Sequence, residues 1–226
     1  MKRGHVASDI LLLGGALLIG SIPVSNIISL AVTGQDLREI GSGTVSPAGL
    51  YRVGGVRPFA AACLLDLAKG SITAALVRHR HPALAAAAAG LAVTGHNWSL
   101  FQVGAGGRGV LPATGILLVA APSGAALIGG GIAVGYVTGD TAPGCFAAQL
   151  LLVPVLAAVQ GRRGVLLGLA TAVPMLAKRL LGNSLRTRER RQTYLTRMIF
   201  DRDILSGGGG HGRGEYDGGF RGRAGG

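Results

Sequence analysis

Long stretches without a charged residue constrain this sequence more than any other feature. No Asp, Glu, Lys or Arg occurs from Ile10 to Gln35, or from Val110 to Gly139. A helix of about 20 apolar residues crosses the hydrocarbon core of a bilayer, which is about 30 Å thick. Because the bilayer core offers no water to the backbone, a spanning segment must satisfy its own polar groups, which favours helices. These stretches therefore predict an all-α polytopic membrane protein.

The composition agrees with this class. Charged residues make up 14% of the 226 residues, whereas soluble domains carry about 25%. The 40 glycines would be costly in soluble helices but allow membrane helices to pack closely. Cys63 and Cys145 lie in apolar stretches without metal-ligand spacing, so we expect neither a disulfide nor a metal site.

Charges and prolines divide the chain into a membrane domain at 1–181, a basic amphipathic juxtamembrane segment at 182–205 and a disordered Gly/Arg-rich tail at 206–226. Six spans would place the basic tail opposite the basic loops, against the positive-inside rule. We therefore expect six or seven transmembrane helices, with a seventh span or a re-entrant segment within 110–181. The predicted spans are 10–35, 56–77, 82–100, 110–137, 145–159 and 165–177, the last two being short.

Two prolines interrupt the pattern near the start of the chain. Pro23, in Gly20-Ser21-Ile22-Pro23, predicts a kink whose freed carbonyl needs a neighbouring partner. Pro47 and several glycines lie in the polar stretch 34–55, which we predict to be a loop without a regular helix.

Asp66 and Lys69 lie within the apolar run 56–77, three residues apart and so on one helix face. Charges in a bilayer are costly. The two residues are either a mutually neutralising pair that holds helices together or the polar wall of a site. His96, at the end of the third span, is either a polar residue of that site or an interfacial histidine.

A glycine-dense loop, Gly104-Ala105-Gly106-Gly107-Arg108-Gly109, separates two apolar runs. A backbone without side chains can turn its N–H groups toward an anion, and the Arg108 guanidinium adds charged donors. The loop is either a phosphate cradle at the membrane surface or a flexible turn in which Arg108 sets the topology.

Three segments, taken in order, resemble the bacterial acyl-phosphate:glycerol-3-phosphate acyltransferase family of the PlsY type. They are GSIP (20–23) with GQDLREIGSG (34–43), LDLAKG (65–70) and GHNWSLFQVGAGGRGV (95–110). The resemblance implies a small enzyme of about seven helices in the bacterial inner membrane, with its site on the cytoplasmic face. It implies transfer of a fatty acyl group from acyl phosphate to the 1-hydroxyl of glycerol 3-phosphate, giving lysophosphatidic acid for phospholipid synthesis.

The resemblance also implies site residues. Ser42 and Arg52 fall on the two residues of the family's first motif that activity needs. The family's phosphate loop, Lys-Gly-Gly-Lys-Gly, is Ala105 to Gly109 here, so one cation is lost and one is exchanged. The third motif is essentially absent: aligning its Arg-Leu pair with Arg179-Leu180 puts Val173 and Leu176 at its His and Asn positions. The residues expected to bind substrate phosphate are Lys69, His96, Gly106, Gly107, Arg108 and Gly109.

Acyl phosphate already carries a good leaving group, so its transfer needs mostly positioning and charge stabilisation. We expect no metal and no cofactor, and the proton acceptor is either His96 or a substrate phosphate oxygen. The expected partners are acyl phosphate, glycerol 3-phosphate and membrane lipid, without nucleic acid.

Two other functions stay open. The first is a catalytically silent paralogue that binds acyl phosphate or lipid phosphate in a regulatory or scaffold role, which the lost third motif favours. The second is a small transporter, which the Asp66/Lys69 pair and the glycine-rich spans allow, although no internal repeat of the transporter kind is visible.

Overall fold

The described part of the chain is all helical, as the sequence predicts. The structure is a computed structural model that describes residues 2–41, 43–182 and 199–200, with side chains from residue 6 onward. Most of the predicted segments 182–205 and 206–226 lie outside these residues. The helices are α1 (Lys2–Ser21), α2 (Val24–Thr33), α3 (Pro47–Gly54), α4 (Val56–Val77), α5 (Pro82–Asn97), α6 (Val110–Ala120), α7 (Pro122–Thr138), α8 (Thr141–Gln160) and α9 (Arg162–Leu181), with 3₁₀ turns at Leu37–Glu39 and Leu100–Gln102.

Four segments are long and apolar enough to cross a membrane. They are Val6–Thr33, which combines α1 and α2, and the helices α4, α8 and α9. Helices α5, α6 and α7 are shorter.

Contacts between helix ends show which ends lie on the same face of the bundle. On one face Arg80 is paired with Asp9 at 3.3 Å, and Gln160 donates to the Ala120 carbonyl at 3.0 Å. On the other face, called the site face below, the end of α5 meets the end of α9, and the start of α8 meets Arg179. Helices α1, α4, α5, α6, α7, α8 and α9 therefore make seven passes within the described residues, and Leu181 ends the last pass on the site face.

The additional pass lies inside the apolar run 110–137, which the sequence analysis treats as one span. The run is two helices, α6 and α7, joined at Ala121, with Pro122 in the first turn of α7. Proline fits a first helical turn because its missing N–H would have no intrahelical partner there. No re-entrant segment is needed to bring the end of α9 to the site face.

Two predicted span lengths are wrong. Helices α8 and α9 have 20 residues each, because residues that flank the predicted spans 145–159 and 165–177 are themselves helical. Arg162 and Arg163 form the first turn of α9, and Lys178 and Arg179 lie in its last turn. The actual turn residue is Gly161, with a φ of 57°.

The prediction of a loop without helix at 34–55 is also wrong in its second half. Ser46 caps α3 by accepting a hydrogen bond from the Gly49 N–H at 3.2 Å, and Pro47 begins the helix. Ser followed by Pro is a favourable helix start, because the hydroxyl satisfies a free N–H and the ring presets φ.

Close approach of backbones holds the bundle together. A methyl group on Gly115 of α6 would lie 2.1 Å from the Leu67 carbonyl oxygen of α4, and one on Gly70 would lie 2.0 Å from the Pro112 carbonyl oxygen. Gly20 of α1 meets Ala92 of α5 in the same way, at 2.1 Å. Lipid tails are as apolar as the helix surfaces, so burying apolar surface does not drive helices together in a membrane. Small residues at such crossings allow the close packing that does.

We therefore expect Gly115→Ala to destabilise the protein, because the added methyl forces α4 and α6 apart at a cost of about 1–3 kcal/mol. Gly129→Ala is the matched control, since nothing lies within 4 Å of a methyl group there. Thermal unfolding of both variants in the same detergent measures the difference. Equal midpoints for the two variants would contradict this account of the crossing.

Candidate functional site

The Lys69 ammonium lies at the centre of the site face. It is 2.9 Å from Asp66 Oδ1 and 2.8 Å from His96 Nδ1. It also donates to the carbonyls of Gly20, at 3.0 Å, and Ile22, at 3.1 Å. Lys69 is 6% exposed and Asp66 is 1% exposed. The pair is thus mutually neutralising, and it also supplies the donor that the break before Pro23 needs.

This contact fixes how His96 is protonated. An ammonium can only donate hydrogen bonds, so Nδ1 must accept, and the single proton of the neutral ring lies on Nε2. The Nε2 edge faces the glycine loop, where a methyl group on Gly107 would lie 2.2 Å from it. His96 therefore presents an N–H donor, and its one lone pair is occupied by Lys69.

Lys69 has no donor left for a substrate phosphate in this arrangement. An ammonium has three N–H groups, and four acceptors within the protein surround it. That Lys69 binds a substrate phosphate stays a prediction, and it would require Lys69 to give up one of these contacts.

The glycine loop is an ordered segment packed on the end of α5. The amides of Gly104, Ala105 and Gly107 donate to the carbonyls of Ser99, Gln102 and His96 at 2.9, 3.0 and 3.1 Å. A methyl group on Gly106 would lie 2.3 Å from the His96 carbonyl oxygen. The Gly107 amide is thus paired within the protein, and close approach to α5 requires glycine at 106 and 107. That these glycines bind a substrate phosphate stays a prediction.

Gly109 has a different reason to be glycine. Its φ is 74°, in the left-handed region, and it stands immediately before the first residue of α6. This turn directs the chain from the loop into the bundle, beside the buried Asn97, whose amide donates to the Pro174 carbonyl at 2.7 Å.

Two cations meet beside the loop. Arg108 Nη1 donates to the Lys178 carbonyl at 2.9 Å, and the Lys178 ammonium stacks 5.1 Å from the centre of the Trp98 ring. Lys178 is fully buried, and the described residues place no carboxylate within 4 Å of its ammonium. Lys178 could not be predicted as a candidate site residue from the sequence, because 70 positions separate it from Arg108 and no local motif marks it.

The loop that holds Ser42 and the glycine loop meet, as their separation by two spans suggests. The Val45 N–H donates to the Gly106 carbonyl at 3.2 Å. At the start of this loop Arg38 donates to both carboxylate oxygens of Asp36, which lowers the pKa of Asp36 from 3.8 to about 2. Ser42 itself lies outside the described residues.

Arg52 and Val173 lie farther out. The Arg52 side chain is exposed on α3. Val173 is 57% exposed on the outer surface of α9, whereas Met175 and Lys178 are buried. A histidine at position 173 would therefore point away from Arg108 and Lys178. With this alignment, the family's third motif places no side chain near these two cations at position 173.

A small cleft lies between the α1–α2 break, the end of α5 and the glycine loop. Its volume of about 10 Å³ corresponds to about one water molecule. Among the described residues no group of three or more His, Cys, Asp or Glu side chains could hold a metal ion. The cleft is lined by Ser21, Ile22, Pro23, Val24, Ser25, Val45, His96, Ser99, Gln102, Gly106 and Gly107.

Comparison with known proteins gives consistent results. A family model described as glycerol-3-phosphate acyltransferase matches residues 10–187. Relatives named glycerol-3-phosphate acyltransferase from Halalkalibacterium halodurans and Geotalea daltonii are each 37% identical, over 131 and 119 residues. These matches cover 56% and 52% of this chain, and 63% and 61% of the relatives. The chain thus matches somewhat less than two thirds of the length of these curated relatives.

Two crystal structures share the fold. They are the glycerol 3-phosphate form and the lysophosphatidic acid form of PlsY (YgiH), described as an integral membrane glycerol 3-phosphate acyltransferase. The TM-scores are 0.70 and 0.68 at 21% and 20% identity, and each match covers 88% of this chain and 96% of the other.

We expect Lys69→Met to destabilise the protein strongly. The change leaves Asp66 as a buried charge without its cation, which typically costs about 3–5 kcal/mol, and removes the donor to the broken helix. Adding Asp66→Asn to Lys69→Met should recover part of the loss. Thermal unfolding in lipid nanodiscs measures all three proteins.

Arg38→Met provides the matched control, because it breaks an ion pair whose arginine is 44% exposed. Such exposed pairs contribute about 0.2–1 kcal/mol. A loss of stability no larger for Lys69→Met than for Arg38→Met would show that the buried network does not hold the helix break.

Proposed function

This chain belongs to the glycerol-3-phosphate acyltransferase family, and we propose that it transfers a fatty acyl group from acyl phosphate to glycerol 3-phosphate, giving lysophosphatidic acid. The observation that carries the proposal is the meeting of Arg108 and the buried Lys178 at a glycine loop, beside a histidine that presents an N–H donor. Buried charges are normally paired. Because the described residues place no carboxylate within 4 Å of the buried Lys178 ammonium, this position favours an anionic ligand.

We assign the substrate phosphates to the cations on the site face. Arg108 can form bidentate contacts with phosphate oxygens, and Lys178 adds a point charge. Arg52, exposed on α3, is free to swing toward a phosphate at the mouth of the site. Gly106, Gly107 and Gly109 shape the loop that holds Arg108, and Ser42 remains a proposed ligand from the sequence.

The reaction needs no covalent intermediate. The glycerol 3-phosphate hydroxyl oxygen attacks the acyl carbonyl carbon, a C–O ester bond forms, and the bond from that carbon to the phosphate oxygen breaks. The hydroxyl proton passes to a phosphate oxygen of the substrate, because His96 holds its proton on Nε2 and has its lone pair occupied. His96 instead donates to the oxygen on which negative charge develops.

A second candidate is the silent paralogue that binds acyl phosphate without turnover. The outward position of Val173 favours it, since no side chain at 173 reaches the cluster. The transporter hypothesis is dropped, because the matching family and the related structures are acyltransferases.

The site face is proposed to be cytoplasmic, in the inner membrane of a bacterium. Helix α9 ends at Leu181 on this face, ahead of nine arginines in the sequence 183–226. Basic segments next to membrane helices remain on the cytoplasmic side, where anionic lipid also attracts them.

Cysteine labelling tests this orientation. In a Cys63→Ala, Cys145→Ala background, we expect Thr44→Cys and Val103→Cys to react with a membrane-impermeant maleimide only from the cytoplasmic side. His79→Cys, in the turn between α4 and α5, should react only from the other side. Labelling of Val103→Cys and His79→Cys from the same side would contradict the seven-pass arrangement.

Acyl transfer tests the function. Purified protein in lipid, given acyl phosphate, should release phosphate only when glycerol 3-phosphate is present. Arg108→Ala and Lys178→Met should each lower the rate by about 10²–10³, the typical cost of removing one donor to the transition state. Arg57→Ala is the control, because it removes a cation that is exposed at the start of α4 and is not assigned to the phosphate site.

The outcomes separate the two candidates. If Arg108→Ala and Lys178→Met release phosphate at the wild-type rate, the assigned phosphate site is wrong. If the wild-type protein binds acyl phosphate but transfers no acyl group, the catalytically silent paralogue is the better description of its function.

A further inference from the structure

The last part of α9, which carries Lys178, begins at a proline. Pro174 has no N–H, so it cannot donate to the Ala170 carbonyl, and the hydrogen-bond ladder of α9 lacks one bond at this point. Helices bend at prolines for this reason. The segment from Pro174 to Leu181 is therefore held less firmly by its own helix than a continuous segment would be. Contacts with other elements must set its position.

Asn97, the last residue of α5, makes such a contact at the proline itself. Its Nδ2 donates to the Pro174 carbonyl at 2.7 Å, and the Asn97 side chain is fully buried. A carbonyl oxygen only accepts, so Nδ2 must face Pro174. Asn97 Oδ1 faces Gly109, where a methyl group would lie 2.6 Å from it. One side chain thus lies between the end of the glycine loop and the last part of α9.

The contact leaves a polar atom of Asn97 unsatisfied. Oδ1 is buried, and none of the residues that the structure describes gives it a hydrogen-bond partner. Such atoms are destabilising, and an apolar side chain of the same shape can replace a buried polar group with little loss of stability. Stability alone therefore does not account for an asparagine at this position. What the Nδ2 contact does set is the place of the α9 end.

Two contacts of Lys178 depend on that place. The Lys178 ammonium lies 5.1 Å from the centre of the Trp98 ring, and Trp98 directly follows Asn97 in the chain. The Lys178 carbonyl accepts from Arg108 Nη1 at 2.9 Å. Lys178 is four residues after Pro174, which is about one helical turn. A contact at Pro174 therefore fixes the turn that carries Lys178 at its start.

We propose that Asn97 is a positioning residue for the substrate phosphate site. By holding the turn that starts at Pro174 against α5, it keeps Lys178 in place near Arg108. The assignment rests on the proposed function, to which this phosphate site belongs. Asn97 contacts no reacting atom and acts through Lys178. A displacement of about 1 Å in a catalytic site can lower a rate by about 10², so the loss of one such hydrogen bond has a measurable effect.

The first test is a double-mutant cycle on acyl transfer from hexadecanoyl phosphate to glycerol 3-phosphate. Asn97→Leu keeps the branched shape of the side chain but cannot donate, and it should lower kcat/KM by about 10–10². In a Lys178→Met background the same change should lower kcat/KM by less than about threefold, because the residue through which Asn97 acts is absent. Effects of the two substitutions that multiply would overturn the positioning role.

Trp98 provides a second readout that does not depend on activity, because it is the only tryptophan in the sequence. Its fluorescence reports the Lys178 ammonium, whose charge lies over the ring. Lys178→Met should shift the emission maximum, and Asn97→Leu should shift it toward the Lys178→Met value. The double variant should match Lys178→Met alone, which excludes a direct effect of residue 97 on the ring. Emission unchanged in either single variant, or a further shift in the double variant, would overturn the positioning role.

Thr171→Val is the matched control. It removes a buried side-chain hydrogen bond from the same helix, since Thr171 Oγ1 donates to the Leu167 carbonyl at 2.9 Å, but this bond lies before Pro174. Both kcat/KM and the emission of Trp98 should stay at their wild-type values. Equal losses in Thr171→Val and Asn97→Leu would overturn the positioning role. If Asn97→Leu does not fold, Asn97→Ala replaces it, because it also lacks the donor.

The outcomes separate the positioning role from the proposed function. If transfer depends on Lys178 but not on Asn97, the function stands and the positioning role is overturned. If the wild-type protein transfers no acyl group, or Lys178→Met keeps the wild-type rate, the proposed function or its phosphate site fails. The emission of Trp98 in the same variants then decides by itself whether Asn97 sets the place of Lys178.

Discussion

The arrangement of the site face depends on one buried ammonium. A helix that breaks inside a membrane exposes carbonyls that lipid cannot satisfy. Lys69 satisfies two of them, at Gly20 and Ile22, while Asp66 balances its charge. The same ammonium accounts for the protonation of His96. Lys69 therefore both satisfies carbonyls at the helix break and determines which nitrogen of His96 carries the proton.

Glycine acts in this protein mainly through close approach. At Gly20, Gly70 and Gly115 it lets helix backbones meet within distances that a methyl group would prevent. At Gly106 and Gly107 it lets the loop lie against the end of α5, and the amides of Gly104, Ala105 and Gly107 donate hydrogen bonds within the protein. On the site face, the cationic side chains of Arg108 and Lys178 carry the proposed phosphate site.

Several of these features could be predicted from short stretches of the sequence. The uncharged runs predicted membrane helices, Pro23 predicted a break that needs a donor, and the spacing of Asp66 and Lys69 placed them on one face. The errors also have local causes. The predicted span 165–177 stops short of Arg162 and Lys178, although both charged residues lie inside α9. Pro47 was read as a helix breaker, although proline after a capping serine begins a helix.

By itself the sequence determined the class of protein, the family resemblance and the presence of the glycine loop, because these follow from composition, hydropathy and short motifs. Tertiary structure alone decided that Lys69 points to the broken helix and that Arg108 meets Lys178, 70 positions away. It alone decided that Val173 faces outward and that Ser25 and Gln102 share a cleft. The physical reason is that such contacts depend on the rotation and crossing of whole helices, which close glycine packing sets and no short stretch of sequence encodes.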